Sequence, residues 1–493
     1  MTPARVPAIL RPSTMAETDH DSYQSPLSTR YAGEAMRANF SERKKFITWH
    51  RIWLALAESQ RELGLPIRAE QVQELADNLE HVDFELAARY ERELRHDVMA
   101  HVHAWGERCK NARGILHLGA TSCDVTDNAD LVILRDALAL VRAELVLVLR
   151  ALRGFALEWK ALPILGLTHL QPAQATTLGK RATLWIQDFA ANLVEIDELH
   201  ARLPFRGIKG TTGTQASFLS LFQGDHGRVR ELERRVAARL GFERCVAVTG
   251  QTYPRQLDFR IGAALAGIAQ SGAKFGSDLR LLAARREVQE PFGKKQIGSS
   301  AMPWKRNPMR SERVCSLARH ALAQLDALAQ TAANQWLERT LDDSAVRRLA
   351  LPEMFLAVDG LLELVLDVGS GLVVHPRRIE RNLMEELPFL ACEHLMMEAA
   401  TSGLDRQDAH EHLRQATHKA VAALLEGEPN PLRELLAADP VLKPFAPRLE
   451  SLLDPARSIG RADVQVDEYL REELDPLLAR FAAVPERRAG VRV

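Results

Sequence analysis

Long stretches of the chain carry apolar residues at helical spacing, and several are longer than most helices of globular proteins. The segment 128–160 has apolar residues on nearly every face, which is typical of a helix buried on all sides within a bundle. Similar patterns predict further long helices at 176–203, 254–287, 308–337 and 345–368. The predicted fold class is therefore all-α, with the long helices forming a central bundle.

Prolines and polar breaks predict where helices begin and where the chain divides. Pro254 and Pro308 stand where a helix could begin, since proline fits the first helical turn. Strand signals are sparse, and the segment 244–250 is one short candidate. Breaks at 117–122 and 369–378 separate the long apolar helices from more polar sequence on either side. They predict three mainly helical domains after an N-terminal extension, with the divisions 1–20, 21–121, 122–374 and 375–493.

The N-terminal extension and the apolar segments give no sign of a membrane protein. Residues 1–20 contain no apolar run long enough for a signal peptide. Arginines without acids make their first part faintly transit-like, but we expect a disordered extension. The most apolar segment, 131–152, is interrupted by charged residues and falls short of the roughly 18 uncharged apolar residues of a membrane span. We therefore expect no membrane partner.

Charge and cysteine content narrow the function classes further. The 64 basic residues nearly balance the 65 acidic ones, so no strong overall field favours nucleic acid. The basic segment 227–239 interleaves glutamates with its arginines, and we interpret it as a solvated helix face rather than an RNA-binding helix. The five cysteines are scattered and odd in number, which favours free thiols in a reducing compartment. We expect a cytoplasmic protein without a nucleic-acid partner.

Three polar segments interrupt the helical pattern, and each joins or precedes a long helix. They are 119–131, 168–181 and 298–308. One interpretation is that each is an elaborate helix cap, because Ser, Thr, Asp and Asn favour helix starts. Three such segments that also carry histidine, lysine and asparagine instead favour a site, since loops on a rigid scaffold often carry chemistry. The apolar surface of the helices also indicates a homo-oligomer with a shared core.

The third segment, GSSAMPWKRNP at 298–308, resembles the signature loop of the fumarase/aspartase superfamily at every fixed position. The other two polar segments resemble the remaining shared regions of that superfamily. Within it, the chain resembles the adenylosuccinate lyase family, nearest to the animal-type enzymes, over roughly residues 21–480. The supporting segments read SPLSTRYA (25–32), RHDVMAHVH (95–103), GTTGTQASF (210–218), KRNPMRSER (305–313) and RTLDDSAVRR (339–348).

The resemblance implies a β-elimination that releases fumarate. Adenylosuccinate would give AMP, and the purine-synthesis intermediate SAICAR would give AICAR. It also implies no cofactor and no metal, a small-molecule nucleotide substrate, and a homotetramer with the central bundle shared and composite active sites. Each site would draw on three subunits.

The resemblance also implies the catalytic roles. Ser299 would be the general base, and it needs an activating environment because a serine hydroxyl is a weak base. His169 would be the general acid, since a histidine can donate a proton at physiological pH. Lys305 and Asn307 would hold the substrate carboxylate and the dianionic intermediate with a charge and a neutral donor. Independently of the resemblance, the segment 287–300 is polar, contains two glycines and precedes Ser299, so we expect it to be poorly ordered without substrate and to close over it as a lid.

Further residues match the family's substrate-binding positions, and a phosphorylated substrate calls for arginines. For any single arginine, a surface salt bridge is the alternative interpretation. The implied binding residues are Arg30, Tyr31, Arg95, His96, Asp97, Thr121, Ser122, Gln251, Arg313, Arg339, Ser344 and Arg348. A metal site at His96, His101 and His103 is disfavoured because the HExxH spacing is missing, and 410–418 likewise lacks zinc spacing.

Two other interpretations stay open from the sequence. One is another fumarate-releasing lyase of the superfamily, acting on argininosuccinate, aspartate or malate. Argininosuccinate lyases typically continue the signature as QKKNPD, whereas this chain has WKRNPMRSE, which disfavours that alternative. The other is a non-catalytic helical structural oligomer. Such a protein should have lost the acid or the base, and this chain retains both His169 and Ser299.

Overall fold

The computed structural model describes residues 21–491, and the extension expected at residues 1–20 lies outside them. Helices dominate this part of the chain, which confirms the predicted all-α class. Helices α1–α5 are Glu34–Asn39, Glu42–Glu62, Ala69–Asp77, Phe84–Leu94 and Asp97–Arg108. Helices α6–α12 are Ser122–Glu158, Leu178–Arg202, Ala216–Leu221, His226–Arg239, Gln256–Ala284, Met309–Ala333 and Asp343–Gly369. Helices α13–α18 are Pro376–Thr401, Arg406–Leu425, Leu432–Ala438, Ala446–Leu452, Ala462–Tyr469 and Asp475–Ala479. Shorter helical turns lie at Leu27–Tyr31, Arg113–Ile115, Pro455–Arg457 and Leu470–Leu474.

The longest helices pack side by side in a bundle. α6 contacts α7 and α12, while α10 contacts α7, α11 and α12. α6 contains 37 residues, which corresponds to about 55 Å at the rise of an α-helix. Its buried side chains include Val125, Leu138, Val141 and Leu149, and they fall on several faces, as the apolar pattern predicted. Among the residues described, no helix combines the length and apolar character needed to span a membrane.

The long helices alternate in direction. The Tyr253 N–H, just before α10, donates to Asp127 in the first turns of α6 at 3.0 Å, so these two helices begin together. α7 runs the opposite way, because the Trp185 indole near its start donates to Asp278 near the end of α10 at 2.7 Å. We call the end of the bundle that holds Asp127 the first end and the opposite end the second end. α12 begins at the first end, and α11 begins at the second.

The starts of these helices follow from the local sequence. Thr121 forms a capping box at α6, in which its backbone N–H donates to Asp124 at 2.8 Å. Thr177 caps α7 by accepting a backbone N–H of the first turn at 3.1 Å. α10 begins two residues after Pro254, and α11 begins directly after Pro308. Both prolines therefore mark helix starts, as predicted.

Buried ion pairs join α6, α10 and α12 at the first end. Arg255 donates to Asp127 through both terminal nitrogens at 3.0 Å and to Asp343 through Nε at 2.7 Å. All three side chains are almost inaccessible to water. Burial alone would raise the pKa of Asp127, but Arg255 and Arg347 outweigh it and hold that pKa below its usual range. Arg347 of α12 also pairs with Asp258 of α10 at 2.7 Å.

The larger apolar core is continuous from the N-terminal helices into the bundle. It includes Trp49 of α2, Leu138 of α6 and Phe355 of α12. A second core joins α13, α14 and α15 around Leu395 and Leu436. The division into three domains stays a prediction, although the N-terminal helices and the bundle bury their apolar faces against each other.

Two short antiparallel strand pairs lie beside the helices in the described residues. β1 (Pro163–Thr168) pairs with β2 (Gln171–Thr177), and β3 (Val288–Gln289) pairs with β4 (Val373–Val374). The second polar segment, 168–181, is therefore largely a hairpin strand and the start of α7. The sequence did not predict this strand, because its glutamine and threonine side chains lack the alternation of apolar and polar residues that marks a half-buried strand.

The strand predicted at 244–250 is wrong. Cys245 forms a single parallel bridge with Phe205, and the bridge does not extend into a ladder among the described residues. The chain instead bends at Ala247 and Val248, and the Thr249 carbonyl oxygen approaches Gly213 so closely that a Cβ there would lie 1.8 Å away. The β-branched residues of this segment therefore do not signal sheet pairing, and Val248 is exposed.

Replacing Arg255 tests the buried ion pairs. We expect Arg255→Met to lower the free energy of unfolding by about 3–5 kcal/mol, because the buried Asp127 would lose its bidentate partner and Asp343 would keep only Arg339. Urea denaturation followed by circular dichroism measures the change. The matched control is Arg260→Met on the exposed face of the same helix, which should change stability by less than about 0.5 kcal/mol. Equal effects of the two substitutions would contradict a structural role for the pairs.

Candidate active site

The first group of candidate residues gathers where α5 and α6 begin. His96 caps α5 by accepting the Met99 N–H on Nδ1 at 3.3 Å, and its Nε2 lies 3.4 Å from the Ser122 hydroxyl. Next to it, Asp97 accepts a hydrogen bond from Arg348 of α12 at 3.1 Å. Three segments that are distant in sequence therefore present a histidine, a hydroxyl and an arginine–carboxylate pair to one exposed surface.

Gln251 extends this group toward the loop before α12. Its side-chain amide donates to the Thr211 carbonyl at 3.1 Å, and its carbonyl oxygen lies 3.7 Å from the Cys123 thiol. The Gln251 N–H donates to the Glu338 carbonyl at 2.9 Å, which places Arg339 beside it. Arg339 in turn pairs with Asp343 at 2.8 Å, the carboxylate that Arg255 holds. The full group at the first end is Arg95, His96, Asp97, Thr121, Ser122, Gln251, Arg339, Ser344 and Arg348.

The signature loop, residues 298–308, lies at the second end and folds back on itself. The Asn307 side-chain amide donates to the Gly298 carbonyl at 2.8 Å, which closes the loop. A Cβ on Gly298 would lie 2.2 Å from the Lys305 carbonyl oxygen, so this close approach requires glycine. The Ser299 hydroxyl accepts the Met302 N–H at 3.2 Å, and the Lys305 side chain is exposed. The loop therefore positions a serine oxygen at a backbone donor and leaves the ammonium group accessible to a ligand.

Glu290 anchors this loop, and the sequence reasoning missed it. Its buried carboxylate accepts the backbone N–H groups of Arg310 and Ser311 at 3.1 and 3.0 Å and the Ser311 hydroxyl at 3.1 Å. A negative charge at the start of α11 is favourable, because the helix dipole is positive there. The only sequence signal was a glutamate shortly before the loop.

Arg30, Tyr31 and Arg313 form a second group near the signature loop. The Arg313 guanidinium lies 5.9 Å from the Tyr31 ring centroid, in the first turns of the helix that follows the loop. The turn that carries Arg30 and Tyr31 is held by α12, because the Gly33 N–H donates to Asp359 at 2.6 Å.

His169 occupies the tip of the β1–β2 hairpin. His169 and Leu170 both have positive φ, 54° and 58°, a conformation that is unfavourable for side chains other than glycine. The hairpin is tied to α13 by a hydrogen bond from Gln174 to Glu393 at 2.6 Å. Within residues 21–491 the exposed imidazole has no hydrogen-bond or ion-pair partner. The fold therefore holds this histidine outward on a strained turn, available to a group outside the hairpin.

A basic groove lies beside the signature loop. Its volume is about 1210 Å³, and its lining contains no carboxylate. The cationic and aromatic side chains that line it are Arg286, Trp304, Lys305, Arg306, His375, Arg377 and Arg378. Such a surface favours an anionic ligand.

Lys45 is a further residue that the sequence reasoning missed. Its ammonium group lies 5.1 Å from the ring centroids of Phe46 and Trp49. Burial lowers the pKa of Lys45, and the positive charge of Arg348 lowers it further. A lysine whose pKa is lowered in this way, beside the first-end group, is a candidate binding residue. The sequence gave only a weak signal for this role, namely a stretch of α2 rich in lysine and aromatic residues.

The histidines after His96 serve packing. His101 stacks on Phe46 with ring centroids 3.7 Å apart, and burial together with Lys45 lowers its pKa to about 4. His103 stacks on Tyr90. In the part of the chain that the structure describes, no group of three or more His, Cys, Asp or Glu side chains could hold a metal ion.

The basic helix α9 is less solvated than expected. Arg235 and Arg239 pair with Glu62 of α2, at 3.0 and 2.5 Å, so part of this helix face packs against a neighbouring helix.

One chain does not assemble the candidate groups. The first-end group and the hairpin lie at opposite ends of α6, about 55 Å apart along its axis. The first-end group and the signature loop are separated by the 29 residues of α10, about 43 Å along that helix. The sixteen candidates therefore fall into three groups on one chain: the first-end group, His169 on the hairpin, and the signature loop. Arg30, Tyr31 and Arg313 are counted with the signature loop.

Comparisons with known proteins show which family the chain resembles. Residues 30–322 match the family model described as "Lyase", and residues 388–469 match the one described as "Adenylosuccinate lyase C-terminus". The adenylosuccinate lyase of Saccharomyces cerevisiae is 49% identical over 467 residues, covering 94% of this chain and 97% of that protein. The adenylosuccinate lyase of Schistosoma mansoni is 46% identical over 466 residues, with the same coverage.

A solved structure shares the fold over nearly the whole chain. The 3-carboxy-cis,cis-muconate lactonizing enzyme from Pseudomonas putida superposes with a TM-score of 0.80 at 26% identity, covering 92% of this chain and 99% of that one. Together with the signature loop, these likenesses confirm the resemblance drawn from the sequence: the chain belongs to the adenylosuccinate lyase family of the fumarase/aspartase superfamily.

Proposed function

We propose that this lyase removes fumarate from adenylosuccinate to give AMP, and from SAICAR to give AICAR, by β-elimination. The observation that carries the proposal is the signature loop, which presents the Ser299 oxygen to a backbone N–H and leaves the Lys305 ammonium exposed. In the reaction, a proton leaves the carbon next to a carboxylate, the C–N bond breaks, and the departing nitrogen takes up a proton. Each of these events has a candidate group on this chain.

Ser299 is the proposed base. A serine hydroxyl needs help to remove a proton from carbon. The Met302 N–H already points at its oxygen and would stabilise negative charge there. Lys305 adds a positive charge that can hold both the substrate carboxylate and the dianion formed from it. Asn307 holds the loop closed at Gly298 through one amide hydrogen, and its second amide hydrogen is left for the carboxylate.

His169 is the proposed acid. Its imidazole is exposed on a turn in which two residues have positive φ. Backbone strain of this kind costs on the order of 1–3 kcal/mol per residue and is often found at functional sites. We infer that the strain is retained because it points the imidazole at the departing nitrogen of a substrate bound by another chain.

The first-end group is the proposed nucleotide site. Arg348, paired with Asp97 on an exposed surface, can turn to a phosphate, for which a guanidinium offers a planar pair of donors. The His96 ring, the Ser122 hydroxyl and the Gln251 amide can supply neutral donors to the remaining polar atoms of the nucleotide.

The length of the helices supports a composite site in a homotetramer. Because about 43 Å of α10 separates the first-end group from the signature loop, the substrate cannot touch both on one chain. Antiparallel packing of four bundles would bring the first end of one chain to the second ends of two others. Each site would then contain residues from three subunits.

The direct test of the activity is a spectrophotometric assay of adenylosuccinate cleavage by the purified protein. We expect AMP and fumarate to form with a chelator present and no cofactor added. Argininosuccinate, aspartate and malate, tested in parallel, should not react. Activity that the chelator abolishes and only a metal restores, or cleavage of argininosuccinate instead, would overturn the proposal.

Replacing Ser299 by alanine tests the base. We expect Ser299→Ala to lower kcat by about 100-fold or more, in the range of a lost acid–base group. The equilibrium dissociation constant for adenylosuccinate, measured by calorimetry, should change little because the binding groups stay intact. The matched control is Ser300→Ala, the exposed neighbour in the same loop, which should keep near-normal turnover. If Ser299→Ala also kept normal turnover, the base would be another group.

Mixing two inactive variants tests whether the acid and base come from different chains. His169→Ala and Ser299→Ala are denatured together and refolded into mixed oligomers. If each site takes these residues from different chains, some sites recover both, and activity should return to at most about a quarter of normal by random assortment. Each variant refolded alone is the control. Well-mixed tetramers, confirmed by native mass spectrometry, that recover no activity would show that acid and base share a chain.

A further inference from the structure

The C-terminal tail, residues 481–491, lies along the central bundle. Arg150 of α6 donates to the Phe481 and Val484 carbonyls at 3.0 and 2.8 Å and pairs with Glu486 at 2.8 Å. Three contacts from one arginine fix the course of the tail along α6. Residues 481–490 therefore lie against α6, with many of their side chains exposed on the outer side.

Arg487 of the tail reaches two buried carboxylates on different helices. It pairs with Glu144 of α6 and with Glu363 of α12, and the Gly490 N–H donates to Glu363 at 2.6 Å. Both glutamates are less than a tenth exposed. Burial and the neighbouring Glu363 raise the pKa of Glu144 to about 7, and Arg487 opposes that rise. The tail thus supplies the positive charge that allows these two acids to lie close together.

The same face of α12 supports the turn that carries Arg30 and Tyr31. Asp359, one helical turn before Glu363, accepts the Gly33 N–H at 2.6 Å. A Cβ added to Gly33 would lie 3.2 Å from Asp359 and 3.6 Å from Glu363, so Gly33 lies beside both carboxylates. A Cβ added to Gly360 would lie 3.1 Å from the Tyr31 carbonyl oxygen. The turn is therefore packed on Asp359 and lies beside Glu363, one of the two acids that pair with Arg487.

We propose that the C-terminal tail is a latch for this turn, and that Arg487 is a positioning residue for substrate binding. The inference rests on the proposed function, in which Arg30 and Tyr31 contact the substrate. Without Arg487, two buried carboxylates would face each other without a cation, and such an arrangement is strongly unfavourable. Glu363 would then take up a proton or move, and the packing of Gly33 beside Glu363 would change although its hydrogen bond to Asp359 remains. Arg30 would lose its position, while Ser299 and His169, on other elements, would not.

The test compares variants of Arg487 with variants of its exposed neighbour. Arg488→Met is the matched control, because the Arg488 side chain has no hydrogen-bond or ion-pair partner in the described residues. We expect Arg487→Met to raise the KM for adenylosuccinate by about tenfold or more, with a change in kcat of less than about threefold, since a binding group is displaced. Arg487→Lys keeps the charge but not the forked contact, so its KM should fall between those of the wild type and Arg487→Met. If Arg487→Met does not fold, the lysine variant alone still has to raise KM.

A double-mutant cycle with Arg30→Met separates this inference from the proposed function. If the latch acts through the turn, Arg487→Met should raise KM little further once Arg30 has been removed. If the two substitutions raise KM by the product of their separate effects, the inference is wrong. It is also wrong if Arg487→Met melts at a lower temperature but keeps a normal KM, or if its KM equals that of Arg488→Met. If Arg30→Met by itself leaves KM unchanged, the proposed role of Arg30 fails, and the latch then has no binding turn to act on.

Discussion

The contact between Arg255 and the carboxylates Asp127 and Asp343 holds the first end of the molecule together. One guanidinium joins the starts of α6, α10 and α12, three helices that the chain visits far apart in sequence. Because the three groups are buried, none can move without leaving a charge unpaired in a medium that solvates it poorly. Ser122 and Arg348 lie just outside this contact, on the helices that Arg255 joins, and are therefore held in fixed positions. Candidate binding groups therefore stand on a fixed platform although they come from separate segments.

Helix length is the second constraint, and it works against a site within one chain. An α-helix of 37 residues is a rigid spacer of about 55 Å, and α6 places such a spacer between the first-end group and the hairpin. The long helices that give the bundle its large apolar core thus also separate the polar segments at their ends. The proposed sharing of the bundle among chains would resolve both consequences, since it would cover apolar surface and bring opposite ends into contact. Within one chain, the C-terminal tail also joins distant segments. Arg487 pairs with acids on two helices that lie more than 200 residues apart in sequence.

The sequence was sufficient where the physical cause is local. Helical periodicity and the prolines at 254 and 308 predicted the long helices and two of their starts, and the signature loop was recognisable because its glycine, serines and asparagine sit at fixed spacing. It was insufficient where the cause is a pairing between distant segments. Glu290 under α11, Arg255 between two acids and Arg487 in the tail are ordinary charged residues in the sequence, and only the fold gives them partners. The β1–β2 hairpin was missed because its polar side chains hide the alternation of a strand, and the false strand at 244–250 arose because β-branched residues also occur in exposed irregular segments, as Val248 does here.

The central claim is that residues from different chains complete one site, and a structure of the oligomer with AMP and fumarate bound tests it most directly. Our account predicts that around a single ligand pair Arg348 and Ser122 come from one subunit, Ser299 from a second and His169 from a third. The signature loop should lie against the fumarate, with Lys305 at a carboxylate. A ligand pair surrounded by the first-end group, Ser299 and His169 of one and the same chain would contradict the account, as would a ligand bound far from the signature loop.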